Sequence, residues 1–266
     1  MNRSLCNLFA VLVLFTSCTH SDRYKKISSD PLLYCKTVKY LNNIVLESNL
    51  PPMIASRNYV YANIAAYEVI AAGDKNFQSL SGQIKHLPAM PQPAPGQQID
   101  FSFAAMLAFC KVGAAVSFPE GSMDDYVSDL KKQMDDAGMP STIFENSIVY
   151  GEKVADSILS WSKKDNYAQL RSAARYTVTD TPGRWIPTPP MYAQAIEPHW
   201  REMRTLVLDS ASQCMPPRPP LYTVADKNST YYKAVSQVKK IVDSLTEEQK
   251  HIANFWDDNS FKLNVI

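Results

Sequence analysis

Over most of 34–159 and again over 228–256 the apolar residues of this chain recur every three or four positions, with no convincing strand alternation. That period marks an amphipathic helix, whereas a half-buried strand alternates every second residue. The pattern restricts the fold to helices packed on helices. Tyr34, Val38, Leu41 and Val45 form the first stripe, which Pro51-Pro52 ends. Residues 54–72 form the second, with Val60, Ile64, Tyr67 and Ala71 on one face and Gly73 as its stop. Pro88, Pro91, Pro93 and Pro95, with Gly82 and Gly96, make 81–98 a loop. Asp100 is placed to cap a helix over 101–118 that is apolar on nearly every side except at Lys111. A helix apolar all round is a buried one, so this segment predicts the core. Met123, Tyr126, Val127, Leu130 and Met134 follow, closed by Gly138. Pro140 and Ser141 open a longer helix with Phe144, Ile148, Gly151, Ala155, Ile158 and Leu159 in register.

The period then fails over 166–227, which is dense in proline. So long an aperiodic stretch is uncommon in a compact domain and is usually functional or wrapped over a surface. Helix resumes at Asn228 through Tyr231, Val235, Val238, Val242 and Leu245. Thr246-Glu247-Glu248-Gln249 is a capping box opening a last helix through Ile252, Phe255 and Trp256. No repeat near 34 or 40 residues occurs, which argues against a helical solenoid. The expected fold is an all-α bundle of about seven helices with one long proline-rich crossing loop.

Composition narrows the partners. The chain is 45% hydrophobic and 20% charged with net charge +1, so no strong field favours nucleic acid, and no Lys/Arg block of that type appears. Five cysteines include Cys35, Cys110 and Cys214, widely spaced and without a CxxC pair, which is neither a disulfide framework nor a zinc site. Cys35 and Cys110 sit in apolar helical patterns and are expected as buried free thiols, while Cys214 is open to a disulfide.

The first residues read as an export signal. Arg3 is the basic part and Leu5 to Phe15 the apolar part, too short to span a bilayer, which needs about 20 residues. Phe15-Thr16-Ser17-Cys18 resembles the lipobox of bacterial lipoproteins. The resemblance implies cleavage after 17, lipid on Cys18, a tether over 18–30 and a helical domain over 31–266, exported and held at a membrane of the cell envelope. The alternative is an ordinary secretory signal in which Cys18 is incidental.

Three further segments carry a family resemblance. They are RNYVYANIAAYEVI at 57–70, TPGRWIPTPPMYAQAIEPHW at 181–200 and HIANFWDDNSFKLNV at 251–265. In this order they resemble the N-terminal half of lipoproteins in the superfamily of vanadium-dependent haloperoxidases and type 2 phosphatidic acid phosphatases (PAP2). That resemblance implies a helical bundle binding vanadate or phosphate. Cationic side chains would hold the oxyanion by charge-assisted hydrogen bonds, and a histidine would take the apical position. The residues implied for this are a lysine seven positions before an Arg-Pro, a Pro-Ser-Gly-His, and a Ser-Arg pair followed by a histidine. Arg218-Pro219 is the only Arg-Pro, and Ala211 stands seven positions before it. No Pro-Ser-Gly-His occurs among the 266 residues, and a Ser-Arg pair is expected to be absent as well. The resemblance therefore implies a chain stopping before its catalytic half, inactive alone and with no cofactor of its own. Exposed apolar helix faces would then promote self-association. The other reading is a non-catalytic lipid-anchored binding or scaffold protein.

Arg57, Tyr61 and Glu68 fall along one helix side, as a buried polar network or as a substrate-pocket wall. Trp185, Tyr192 and Trp200 line a substrate entrance or pin the long loop by apolar burial. Arg57, Tyr61, Glu68, Trp185 and Trp200 are thus the candidate wall residues. His251, Asp257 and Asp258 do not share one helical face and are read as solvated or capping groups, and His199 as hydrogen-bonded scaffold.

Overall fold

A computed structural model describes residues 22–117, 119–189 and 192–257. Cys18, Phe118, Asp258 and the end of the 251–265 motif lie outside the described residues. Among those residues the chain forms α1 (Arg23–Ser28), α2 (Pro31–Glu47), α3 (Pro52–Gly73), α4 (Phe101–Val116), α5 (Asp124–Asp136), α6 (Ser141–Ser162), α7 (Tyr167–Arg171), a 3-10 turn (Trp200–Glu202), α8 (Thr230–Asp243) and α9 (Glu247–Phe255). All seven expected helices are present, joined by two short ones, α1 and α7. The chain divides into two compact units, Met1–Ser162 and Lys163–Ile266.

In the first unit α4 is the central helix, buried at every position from Phe103 to Cys110. It packs most extensively against α3 and α6, and α2 also lies on it. Asp100 starts it by accepting the Phe103 N–H at 2.9 Å. The same carboxylate accepts the Ser28 hydroxyl at 2.7 Å, and the Asp100 N–H donates to Ser147 Oγ at 2.9 Å. One cap therefore ties α1, α4 and α6 together. Lys111, the polar exception in α4, pairs with Asp156 of α6 at 2.7 Å. Gly151 is buried where α6 meets α4. A Cβ there would stand 2.6 Å from the Ala104 carbonyl oxygen, so this approach requires glycine.

The buried faces depart from the expected stripes. In α2 the buried residues are Leu33, Thr37, Leu41, Ile44 and Val45, with Tyr34 and Val38 on the flank. In α3 the buried line runs through Ile54, Asn58, Tyr61, Ala65 and Glu68. Of Val60, Ile64, Tyr67 and Ala71, only Ile64 is fully buried. α3 meets both α4 and α6, and their positions rather than apolar spacing select its inner face. The segment expected as a tether is helical over its second half, because Tyr24 is buried in a cluster with Leu33, Phe103 and Met134. Cys110 is buried as expected, whereas Cys35 lies on the exposed side of α2.

In the second unit most of 172–229 is without regular structure, as the loss of period indicates. The Ser229 side chain caps α8 by accepting the Tyr232 N–H at 3.1 Å. Both bonds of the capping box at α9 form: Thr246 Oγ1 accepts from Gln249 N at 3.2 Å, and Gln249 Oε1 accepts from Thr246 N at 3.0 Å. The apolar stripes of these helices are exposed, Val238 at 62% and Trp256 at 76%. No described helix is long and apolar enough to cross a membrane.

Candidate functional site

Part of the distinctive 181–200 segment, including Trp185, Glu197 and His199, lines a cleft of the second unit. α7 ends at Arg171, whose Nη1 donates to Glu197 Oε1 at 2.9 Å. The Glu197 side chain is 10% exposed and its backbone is left-handed, with φ at 47°. That conformation costs a non-glycine residue about 1–3 kcal/mol and persists only where surroundings enforce it. The ion pair to Arg171 is one such constraint. Two residues on, His199 bridges two strands of the loop. Its Nε2 lies 2.9 Å from the Ala174 carbonyl and its Nδ1 3.1 Å from Glu202 Oε1. Both partners are pure acceptors, so both ring nitrogens must donate, and the ring is assigned as an imidazolium. The Ala174 carbonyl first, and Glu202 second, push the His199 pKa above its ordinary 6.5.

The edge of Tyr176 meets Trp185 with ring centres 5.5 Å apart, and its hydroxyl donates to the Trp185 carbonyl at 3.1 Å. The cleft encloses about 430 Å³, and Arg171, Arg175, Tyr176, Trp185, Glu197 and His199 are among its lining.

The five candidate wall residues fall in different places. Trp185 lines the cleft. Trp200 instead packs edge-on to Tyr167, with ring centres 6.3 Å apart. In the first unit the Arg57 guanidinium lies 5.0 Å from the Tyr61 ring centre and donates to Asn58 Oδ1 at 3.2 Å. Tyr61 is buried edge-on to Trp161 at 5.1 Å. Glu68, about two turns further, is 1% exposed and accepts from Leu80 N and Ser79 Oγ, each at 2.7 Å. It fastens the chain leaving α3. Burial, followed by the Glu68 charge, pushes the neighbouring Tyr150 phenol up to about 12. Arg57 and Tyr61 therefore form one group, while Glu68 serves another. Arg171 and Arg175 were not singled out by sequence reasoning. Their signal is the run Leu-Arg-Ser-Ala-Ala-Arg-Tyr at 170–176, two cations beside an aromatic where the period has lapsed.

The residues present do not fit the oxyanion cradle that the motifs imply. His199 has both nitrogens committed and cannot take an apical position. Arg171 is held by Glu197, and Arg218-Pro219 is exposed. Ser56-Arg57 is a Ser-Arg pair, which corrects the expectation that the chain has none. Arg57 is engaged with Asn58 and Tyr61, and the next histidine after it is His86. No cluster of three or more His, Cys, Asp or Glu able to hold a metal ion occurs among the described residues.

No protein-family description and no curated protein matches the chain. Among solved structures it is similar to one described as the first bacterial vanadium-dependent iodoperoxidase. The TM-score is 0.81 at 37% identity, over 87% of this chain and 56% of that one. The chain spans just over half the length of that relative, and its all-helical architecture is the haloperoxidase/PAP2-like fold.

Proposed function

We propose that this chain is an exported lipoprotein forming the helical scaffold part of a haloperoxidase- or PAP2-type enzyme, and that by itself it does not turn over. The observation that carries the reading is the pairing of fold and missing cradle. The chain matches the iodoperoxidase over 87% of its own length, yet its only cleft histidine is locked by Ala174 and Glu202. On this reading the residues present supply no vanadate or phosphate cradle. The test is an assay of the purified chain with a generic phosphomonoester, and with vanadate, iodide and peroxide. The expected result is no turnover above the protein-free rate in either, and clear turnover in either refutes the proposal. For the anchor, the support is the sequence Phe15-Thr16-Ser17-Cys18. Mass spectrometry of the mature N-terminal peptide should show diacylglycerol on Cys18, and a peptide cleaved elsewhere and unlipidated refutes it.

A further inference from the structure

The scaffold role leaves the cleft of the second unit without a use, although it is built as a binding site. Three cationic groups line it, Arg171, Arg175 and His199, against the single carboxylate Glu197. Arg171 neutralises Glu197 at 2.9 Å. Arg175 has no hydrogen-bond or ion-pair partner among the described residues. Its guanidinium keeps its full fork of N–H donors, which matches a carboxylate in bidentate fashion. Beside it stand the half-exposed rings of Tyr176 and Trp185, at 37% and 47% exposure. Those rings are fixed against each other by their edge contact and by the Tyr176 hydroxyl on the Trp185 carbonyl.

We propose that this cleft binds a small aromatic carboxylate, with Arg175 holding the carboxylate and the Tyr176–Trp185 pair holding the ring. A bare inorganic anion would leave the two rings unused, and a neutral aromatic would leave Arg175 unpaired. The ion pair at Glu197 and the His199 bridge hold the walls before any ligand arrives, so little loop ordering opposes binding. At about 430 Å³ the cleft falls in the size range of ordinary small-molecule sites.

The experiment is calorimetric titration of the purified chain with benzoate, with acetate and phenol as half-ligands. Benzoate should bind and quench tryptophan fluorescence, with acetate and phenol each weaker by about tenfold or more. Arg175→Gln should weaken benzoate by about tenfold while leaving the melting temperature unchanged, because the exposed Arg175 has no hydrogen bond or ion pair to lose. Arg184→Gln, an exposed arginine outside the cleft lining, should bind as the unaltered chain does. Should Arg175→Gln melt early, Trp185→Leu replaces it, with loss of benzoate binding expected. No benzoate binding, benzoate no tighter than acetate or phenol, or undiminished binding by Arg175→Gln or by Trp185→Leu overturns the proposal.

Discussion

Gly151→Ala tests whether close approach of α6 to α4 sets the geometry of the first unit. The added Cβ would stand 2.6 Å from the Ala104 carbonyl oxygen, where ordinary contact begins at 3.4 Å, so the helices must part by about 0.8 Å. The obstacle is backbone on both sides, and no side chain can rotate away. Overpacking of this kind costs about 1–3 kcal/mol. Alanine returns about 1 kcal/mol through its better helix propensity. Because the obstacle is backbone, the cost falls in the upper part of that range, about 2–3 kcal/mol, so the net expectation is a loss of about 1–2 kcal/mol, concentrated in the central helix and its neighbours. For a unit of this size that lowers the melting temperature by about 2–8 °C in a calorimetric or circular-dichroism melt. An unchanged or raised melting temperature refutes the argument, because it would mean that propensity outweighs the contact and the helices have room.

Glu68→Ala removes the acceptor for both Leu80 N–H and the Ser79 hydroxyl, and losing these two part-buried hydrogen bonds to a charged group costs about 1–3 kcal/mol. Faster amide exchange at Leu80 and an earlier melt are expected, and an unaltered exchange rate counts against the role of Glu68 as fastener. His199 is held as a cation, so its folded pKa lies above the unfolded one. Its contribution to stability is present below the unfolded value of 6.5 and is lost as pH rises through the raised folded value. Ring-proton NMR should place the titration above 6.5, and a midpoint at or below it refutes the double-donor assignment. Burial pushes the Cys110 thiol up to about 12, so site-resolved alkylation at neutral pH should label Cys35 and Cys214 and spare Cys110 until unfolding. Equal labelling of Cys110 in the native protein refutes its burial.

The helices themselves were legible in the sequence because their causes are local. The Asp100 and Thr246 caps, the all-round apolar run of α4 and the stop at Gly138 act within a turn or two of chain, and each is found where the sequence places it. The loss of period over 166–227 likewise announced an irregular segment. What a helix buries is decided by its neighbours, and here the sequence ran out. Asn58 and Glu68 sit on the inner face of α3 because α4 and α6 define that face and Ser79 and Leu80 supply the hydrogen bonds. Tyr24 turned a polar segment into α1 because a cluster made by distant residues offered its ring a place. The cleft follows the same rule. Trp185 and His199 stood out in the 181–200 motif, but Arg171 and Arg175 gained meaning only when the chain folded back and set them beside Glu197 and Tyr176. Sequence alone determined helix period, caps and the missing cradle motifs, which depend on neighbours in the chain. Tertiary structure decided the inner faces and the cleft, because burial and electrostatic pairing depend on neighbours in space.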